Sequence, residues 1–310
     1  MRIAVFGSGA VGGYFGGRLA ASGEEVTFIA RGAHLAALRQ HGLRISSPKG
    51  DAGLRVTATD DPATIAPVDV VLFTVKLYDV DAGAARLAPL IGPETVVITM
   101  QNGVEAVEMV SRFVGADHVA GGAAYVVAVV DEPGHIVHTT ADRLVFGESD
   151  GRLSPRLRAF QDAGRRAGFV ADLSPHIDID LWVKFVRLGT WSGMTAVTRS
   201  SMGVIRQHPE LLHMMDGALA EAMAVGRARG IAFPEGLVEG TQQMVRNFPP
   251  ESKSSMLVDL EQGRRLELPW LSGAIVRMGR ALNVPTPTHA FINAVLLPHQ
   301  DGKQPLGSRG

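Results

Sequence analysis

A glycine-rich turn near the amino terminus constrains the fold more than any other feature of this sequence. Gly7, Gly9 and Gly12 form the pattern G-x-G-x-x-G between an apolar run at Arg2–Phe6 and a helical pattern at Ala10–Ala21. This strand–turn–helix context is the one that a dinucleotide-binding fingerprint requires, although the same glycines could serve only close helix–strand packing. The residues predicted to hold a pyrophosphate are Gly7, Ser8, Gly9, Ala10, Val11 and Gly12.

The chain up to about residue 174 alternates short apolar runs with helical patterns. Apolar runs without polar alternation indicate strands of a parallel sheet covered on both faces by helices. A hairpin or a pair of edge strands is expected at Gly134–Gly147, and a helix near Pro155–Ala167. The predicted strands are Arg2–Phe6, Glu25–Ala30, Asp69–Val75 and Thr95–Met100, and the predicted helices between them are Ala10–Ala21, Ala33–Gln40, Asp81–Leu87 and Glu105–Phe113.

The remainder of the chain has an almost entirely helical pattern, with helices predicted at Glu210–Arg229, Leu266–Leu282 and Ala290–Leu297. The predicted fold class is therefore α/β. We predict a Rossmann-type doubly wound sheet over residues 1–174, which would bind the dinucleotide, and an all-α domain over residues 175–310.

Composition limits the functions open to these 310 residues. The net charge of -1 gives no electrostatic reason to expect nucleic acid or an anionic membrane as a partner. Cysteine is absent, which excludes disulfides, thiolate metal sites and cysteine nucleophiles. No apolar run reaches the roughly 18 residues of a membrane span. We expect a soluble cytoplasmic protein without a metal site, and a homodimer is one alternative for its oligomeric state.

The end of the second predicted strand indicates which dinucleotide binds. An NAD site commonly has an acidic residue there, which binds the ribose 2′-OH. This chain has Arg31 at that place, and a guanidinium suits a 2′-phosphate by charge and by bidentate geometry. We therefore predict NADP(H) as the cofactor, with a solvated surface arginine as the alternative.

Two polar residues follow later strands. Lys76 comes just after the third predicted parallel strand, and Asn102 comes just after the fourth. The carboxyl ends of strands in such sheets face the ligand crevice, so both residues are candidates for the cofactor site. The alternatives are a surface cation for Lys76 and an Asn-Gly turn for Asn102.

The ordered set of motifs resembles the ketopantoate reductase (2-dehydropantoate 2-reductase) family over essentially the whole chain. This resemblance implies an NADPH-dependent oxidoreductase that reduces a 2-oxo acid to a 2-hydroxy acid, with a role in pantothenate biosynthesis. Besides the glycine turn, the motifs are TVK ending at Lys76, QNG at 101–103, LWVK ending at Lys184, SSML starting at Ser254 and LE ending at Glu267.

The resemblance also implies roles for individual residues. Lys184 is the expected general acid, which protonates the new hydroxyl oxygen, and Glu267 is the acidic residue beside cofactor and substrate. Beyond the pyrophosphate turn and Arg31, the cofactor contacts implied are Lys76, Asn102, Ala128 and Glu267. The substrate contacts implied are Lys184, Asn102, Ser255 and Ser192.

The chemistry of Lys184 is reasonable on physical grounds as well. Reduction of a carbonyl leaves charge on its oxygen, so a proton donor must be aimed at that atom. The apolar residues around Lys184 in LWVKFV are expected to lower its pKa by desolvation, and a nearby Glu267 carboxylate would oppose that shift. The alternatives are a snorkelling helix residue for Lys184 and an N-cap role for Ser254 or Ser255.

One departure from the family affects the substrate. Ketopantoate reductases usually carry asparagines one and two helical turns after the catalytic lysine, where this chain has Leu188 and Ser192. We therefore expect a 2-oxo acid or related carbonyl substrate that is more apolar than ketopantoate. Three functions stay open at this point: a ketopantoate reductase, a reductase of a different carbonyl, and a non-catalytic NADP-binding sensor.

Overall fold

The computed structural model describes residues 1–303 and divides into two units. Met1–Gln101 and Glu105–Leu181 form the first unit, which contains the sheet. Asn102–Val104 and the described residues from 182 to 303 form the second unit, which is helical.

The division between the two units falls inside a helix. This helix, Ile177–Thr198, continues without a break past the last residue of the first unit. Its first turn belongs with the sheet because Ile177 packs directly over two strand glycines, Gly121 and Gly147. A Cβ atom at these two positions would lie 2.9 and 3.1 Å from the Ile177 side chain.

The first unit is built on a ten-stranded sheet. Its strands are β1 Arg2–Phe6, β2 Glu25–Ile29, β3 Leu43–Ser46, β4 Ala52–Leu54, β5 Thr57–Thr59, β6 Val70–Phe73, β7 Val96–Thr99, β8 Val119–Glu132, β9 His135–Glu148 and β10 Val170–Leu173. The order is β4-β3-β9-β8-β7-β6-β1-β2-β5, with β10 paired to β9. In the part of the sheet with the order β8-β7-β6-β1-β2-β5, every pair of neighbouring strands is parallel. The predicted Rossmann-type sheet is thus confirmed.

The helices of the first unit follow the predicted alternation. They are α1 Ala10–Ala21, α2 Gly32–His41, α3 Val80–Ala84, α4 Ala106–Val114 and α5 Pro155–Arg166. α1 has the predicted bounds, whereas α3 ends three residues before the predicted end at Leu87. A 3-10 turn at Ala88–Leu90 follows it, and Pro89 in that turn lacks the N–H that a continuing helix would need.

The hairpin is longer and more central than predicted. β8 and β9 are antiparallel strands of 14 residues each, joined at Gly134. They lie between β7 and β3, so the expectation of edge strands is wrong, while the expectation of a hairpin is confirmed. The error came from β8, which begins with the small residues of VAGGAA and lacks the bulky apolar run of a typical buried strand.

The second unit consists of helices around their own apolar core. α6 is the Ile177–Thr198 helix, and the others are α7 Met202–Ile205, α8 Pro209–Ala228, α9 Leu237–Asn247, α10 Ser255–Glu261, α11 Ser272–Ala281 and α12 Pro287–Leu296. The core includes Phe185, Met194, Met223 and Leu268, all almost fully buried. The all-α character predicted for this part of the chain is confirmed over the described residues. None of the helices within residues 1–303 combines the length and apolarity needed to cross a membrane.

Candidate active site

The glycine turn lies where the winding of the sheet reverses. β1 pairs with β2 on one side and with β6 on the other. Crevices outside the carboxyl ends of strands at such a reversal are the usual ligand sites of doubly wound sheets. Gly7 follows β1 directly, and the hydroxyl of Thr74, which follows β6, donates to the Gly7 carbonyl. The turn is therefore fixed at the ligand-binding edge of the sheet.

Each of the three positions in the turn favours glycine for a different structural reason. Gly7 has φ +101°, and a Cβ atom there would lie 2.8 Å from the Val75 nitrogen. A Cβ atom at Gly12 would lie 2.5 Å from the Gly7 carbonyl oxygen, so α1 could not approach so closely with a larger residue. A Cβ atom at Gly9 would meet no atom within 4 Å. The backbone at Gly9 thus borders open space, as a phosphate cradle requires.

The other predicted residues of the turn, Ser8, Ala10 and Val11, lie between the end of β1 and the end of the first turn of α1. The Ser8 hydroxyl is buried and donates to the Ile29 carbonyl at 3.1 Å, which ties the turn to the end of β2. Ala10 and Val11 form the first turn of α1, and Gly9 at its N-cap supplies no side-chain cap. The first N–H groups of a helix lack intrahelical partners and attract anions. A pyrophosphate would therefore meet the start of α1.

A cavity of about 420 Å³ borders this turn. Its wall is formed by the glycine turn, the ends of β2 and β6 and the beginning of α3, and includes the predicted residues Arg31 and Lys76. Three further residues with charged or titratable side chains, His34, Asp79 and Arg86, also line it. No motif marks these three in the sequence. Cations outnumber carboxylates in this wall, and a phosphorylated dinucleotide fits that charge.

Arg31 occupies the position between β2 and α2 that the sequence predicted, and its side chain is 73% exposed. Its Nη2 atom donates to Oδ2 of Asp79 at 3.2 Å. Asp79 ends a 3-10 turn at Leu77–Asp79, for which Lys76 is the N-cap residue. The guanidinium therefore faces the cavity with a carboxylate beside it.

His34 joins the glycine turn to the hairpin. Its Nδ1 atom accepts from the Gly134 N–H at 3.1 Å, so the neutral ring carries its proton on Nε2. Burial lowers the pKa of His34, and an interaction with the Ser8 backbone opposes that effect. The ring is consequently neutral at physiological pH and acts as a fixed wall of the cavity.

In the second unit, Lys184 lies on α6 among apolar neighbours and is partly buried. Burial lowers the pKa of Lys184 from 10.5 to about 8, and the charge of the Glu267 carboxylate opposes this effect. Both influences on the pKa of Lys184 were predicted from the sequence. An ammonium group with a pKa near 8 is a much better proton donor at neutral pH than an ordinary lysine.

The fold holds Glu267 rigidly. Its side chain is 6% exposed, and the residues on either side, Leu266 and Leu268, are completely buried in the helical core. Glu267 immediately precedes a 3-10 turn at Leu268–Trp270 that leads into α11. Two buried leucines thus fix the backbone from which the carboxylate acts on Lys184.

The two adjacent serines have different environments. The Ser254 hydroxyl accepts from the Leu257 N–H at 3.0 Å and from the Thr195 hydroxyl at 2.7 Å, so it is the N-cap of α10, an alternative that the sequence left open. Ser255, the first residue of α10, is exposed. Its substrate contact stays a prediction.

The residues that follow Lys184 along α6 are less accessible than predicted for substrate contacts. Leu188 is partly buried and packs against the helical core. Ser192 is 0% exposed, and its hydroxyl has no hydrogen-bond partner within residues 1–303. Contact between Ser192 and a substrate stays a prediction.

Six predicted cofactor residues do not line this cavity: Ala10, Val11, Gly12, Asn102, Ala128 and Glu267. Asn102 is partly buried in a short segment, Asn102–Val104, that groups with the helical unit. Ala128 lies on β8 at a bulge, opposite His138 of β9. Their cofactor contacts stay predictions.

Two protein-family models match this chain. The model described as ketopantoate reductase PanE/ApbA matches residues 3–151, and the model of the ketopantoate reductase PanE/ApbA C terminal matches residues 176–300. The chain belongs to the ketopantoate reductase family. Membership confirms the predicted class of enzyme, an oxidoreductase that uses NADP(H).

Individual relatives are similar to this chain over nearly its full length. A 2-dehydropantoate 2-reductase of Mesorhizobium japonicum is 31% identical, with 96% of this chain and 96% of the relative covered. A crystal structure of a PanE/ApbA family ketopantoate reductase from Ralstonia eutropha has a TM-score of 0.90 at 30% identity and covers 97% of this chain and 98% of its own. A D-mandelate dehydrogenase solved with NADH and anilino(oxo)acetate has a TM-score of 0.89 at 21% identity, covering 97% of this chain and 98% of its own, and this similarity supports the fold alone.

Proposed function

We propose that this protein reduces a 2-oxo acid to the corresponding 2-hydroxy acid with NADPH, and that Lys184 donates the proton. The observation that carries the proposal is the match of residues 3–151 and 176–300 to the two ketopantoate reductase models, and the pKa of Lys184, which burial lowers to about 8 against the effect of the Glu267 carboxylate, supports a proton donor at that position. The lysine belongs to a part of the chain that matches the ketopantoate reductase C-terminal model.

The first unit would bind the cofactor, which supplies the reducing equivalent to the substrate carbonyl when bound. The start of α1 would hold the pyrophosphate, because the first N–H groups of a helix lack intrahelical partners, and Gly9 would let the phosphate approach the backbone, because a Cβ atom there would meet no atom within 4 Å. Arg31 would bind the 2′-phosphate through its guanidinium. This assignment is supported by the position of Arg31 in the cavity wall.

Lys184 would act at the substrate oxygen. Its ammonium group would stabilise the negative charge that develops there and then deliver the proton. With a pKa near 8, the side chain is protonated at neutral pH and gives up its proton more readily than a solvated lysine. Glu267 would keep the ammonium in place and prevent its pKa from falling further.

Two residues of α6 bear on the polarity of the substrate side chain. One helical turn beyond Lys184, Leu188 supplies an apolar group where the family usually has asparagine, and Ser192 supplies at most a short, buried hydroxyl. These residues favour a substrate that is more apolar than ketopantoate. 2-Dehydropantoate itself, the substrate in the names of the relatives, is the second candidate.

Steady-state assays of the purified protein test this function. NADPH oxidation would be followed with ketopantoate and with 2-oxo acids that carry branched or aromatic side chains, and kcat/KM compared across the panel. If the protein reduces none of these 2-oxo acids, the proposed reaction is rejected. A homodimer and a cytoplasmic location remain predictions of the sequence.

A further inference from the structure

The cavity beside the glycine turn contains an ion pair that the sequence did not reveal. Arg31 Nη2 and Asp79 Oδ2 are 3.2 Å apart, and both residues line the cavity. They come from different parts of the sheet, since Arg31 follows β2 and Asp79 ends the turn after β6. The pair therefore spans the crevice edge that would receive the cofactor.

Asp79 is the one carboxylate among the described residues that line this cavity, whereas Arg31, Lys76 and Arg86 line it as cations. Arg86 donates through Nη2 to the Asp60 carbonyl at 2.6 Å, which holds its guanidinium near the same edge. The Asp79 carboxylate accepts a hydrogen bond from the Arg31 guanidinium that a phosphate would otherwise accept.

The consequences differ for the two nicotinamide cofactors. A phosphate monoester on the ribose carries close to two negative charges at neutral pH. It would have to share Arg31 with the Asp79 carboxylate or displace it, and like charges at close range repel each other. A ribose with a 2′-OH faces no such conflict, because a carboxylate accepts a hydrogen bond from a hydroxyl.

We propose that Asp79 is a specificity-determining residue that competes with the 2′-phosphate for Arg31 and thereby narrows the preference for NADPH over NADH. This inference rests on the proposed role of Arg31 as the 2′-phosphate contact. The natural enzyme then has a smaller selectivity between the two cofactors than its arginine alone would give.

Binding of two fragments tests the proposal without turnover. Adenosine 2′,5′-bisphosphate and AMP differ only in the 2′-phosphate, and isothermal titration calorimetry measures the affinity of each. In Asp79→Asn we expect affinity for the bisphosphate to rise about two- to fivefold, the scale of an exposed ion pair, and affinity for AMP to stay within twofold. Asp81→Asn is the matched control, because Asp81 is an exposed acid of the adjacent α3 that does not line the cavity.

A second pair of variants separates the two assignments. If Arg31→Ala leaves bisphosphate affinity unchanged, the proposed role of Arg31 fails. If Arg31→Ala weakens bisphosphate binding while Asp79→Asn leaves it unchanged or weakens it, only the competition by Asp79 is overturned. In the double variant Arg31→Ala/Asp79→Asn, the increase in bisphosphate affinity caused by Asp79→Asn should disappear. If the increase is as large as in the natural background, it comes from the change in net charge and not from competition for Arg31, and the proposal is overturned.

Discussion

The Glu267 carboxylate raises the pKa of Lys184 while burial of the lysine lowers it, and burial is the larger effect, which leaves the pKa at about 8. The two influences come from separate segments of the chain, since Lys184 lies on α6 and Glu267 just before the turn that leads into α11. The acidity of the proposed proton donor is thus adjustable by a residue that is not on its own helix.

Glu267→Gln should move the pH dependence of the reaction. Without the carboxylate, only burial acts strongly on Lys184, so its pKa falls below about 8. The protonated lysine is the active form, and kcat/KM should therefore begin to decline at a lower pH than in the natural enzyme. Profiles of kcat/KM against pH measure this, with Glu261→Gln, an exposed carboxylate paired with Lys253, as the control. An alkaline limb that stays in place would argue against the coupling.

Lys184→Ala should greatly lower the rate of the chemical step. Removal of a general acid typically costs about a hundredfold or more in kcat. NADPH affinity, measured by fluorescence titration, should change little, because the lysine is assigned to the substrate. Lys253→Ala removes an exposed lysine and serves as the control. Full turnover by the Lys184 variant on the best substrate would reduce this residue to a structural role.

Ser254 and Ser255 offer a test of two adjacent residues with different roles. Ser254→Ala removes the N-cap of α10 and should cost about 1 kcal/mol of unfolding free energy, measured by urea denaturation. Ser255→Ala should leave stability nearly unchanged, because the side chain is exposed. If Ser255 contacts a substrate carboxylate, its variant raises KM for the 2-oxo acid. An unchanged KM would remove Ser255 from the substrate site.

His289 should make the helical unit acid-sensitive. Its Nε2 donates to the Ala218 carbonyl at 2.9 Å, its Nδ1 accepts from the Ser272 hydroxyl, and burial lowers its pKa from 6.5 to about 4. Between these pH values the unfolded chain takes up a proton that the native ring does not, so unfolding free energy falls as pH drops from about 6.5 to about 4. The full difference corresponds to about 3 kcal/mol.

Denaturant unfolding at a series of pH values checks this linkage. The slope of unfolding free energy against pH, rather than its level, is the relevant quantity, because His289→Gln also removes packing. The slope should be smaller in that variant between pH 4 and 6.5. An NMR titration that finds an ordinary pKa for His289 in the natural protein would contradict the assignment.

The features that the sequence predicted depend on residues close together in the chain. The glycine turn, the bounds of α1 and the position of Arg31 after β2 follow from neighbouring residues, because turn geometry, helix periodicity and strand ends are local properties. The prediction of a lowered pKa for Lys184 was local too, since it came from the apolar residues on either side of it in the chain.

The features that it did not reveal depend on distant pairs. Arg31 meets Asp79, and His34 accepts a hydrogen bond from Gly134, 100 residues along the chain. Whether such residues meet is set by the order of strands in the sheet, which no local pattern specifies. The central position of β8 was missed for a related reason, since small residues there are selected by what packs over them.

Leu188→Asn should shift the enzyme toward the more polar substrate. Asparagine is close to leucine in size, and Leu188 is only partly buried, so the change should be accommodated, whereas a larger residue would not fit at the fully buried Ser192. A new hydrogen bond to a substrate hydroxyl or carboxylate is worth roughly 0.5–3 kcal/mol. We therefore expect kcat/KM for ketopantoate to rise about two- to a hundredfold relative to branched or aromatic 2-oxo acids. Leu211→Asn, at another partly buried position packed against the helical core, controls for a general loss of packing. If the natural enzyme already turns over ketopantoate at about 10⁴ M⁻¹s⁻¹ or faster, and faster than every apolar analogue, the inference from Leu188 is wrong.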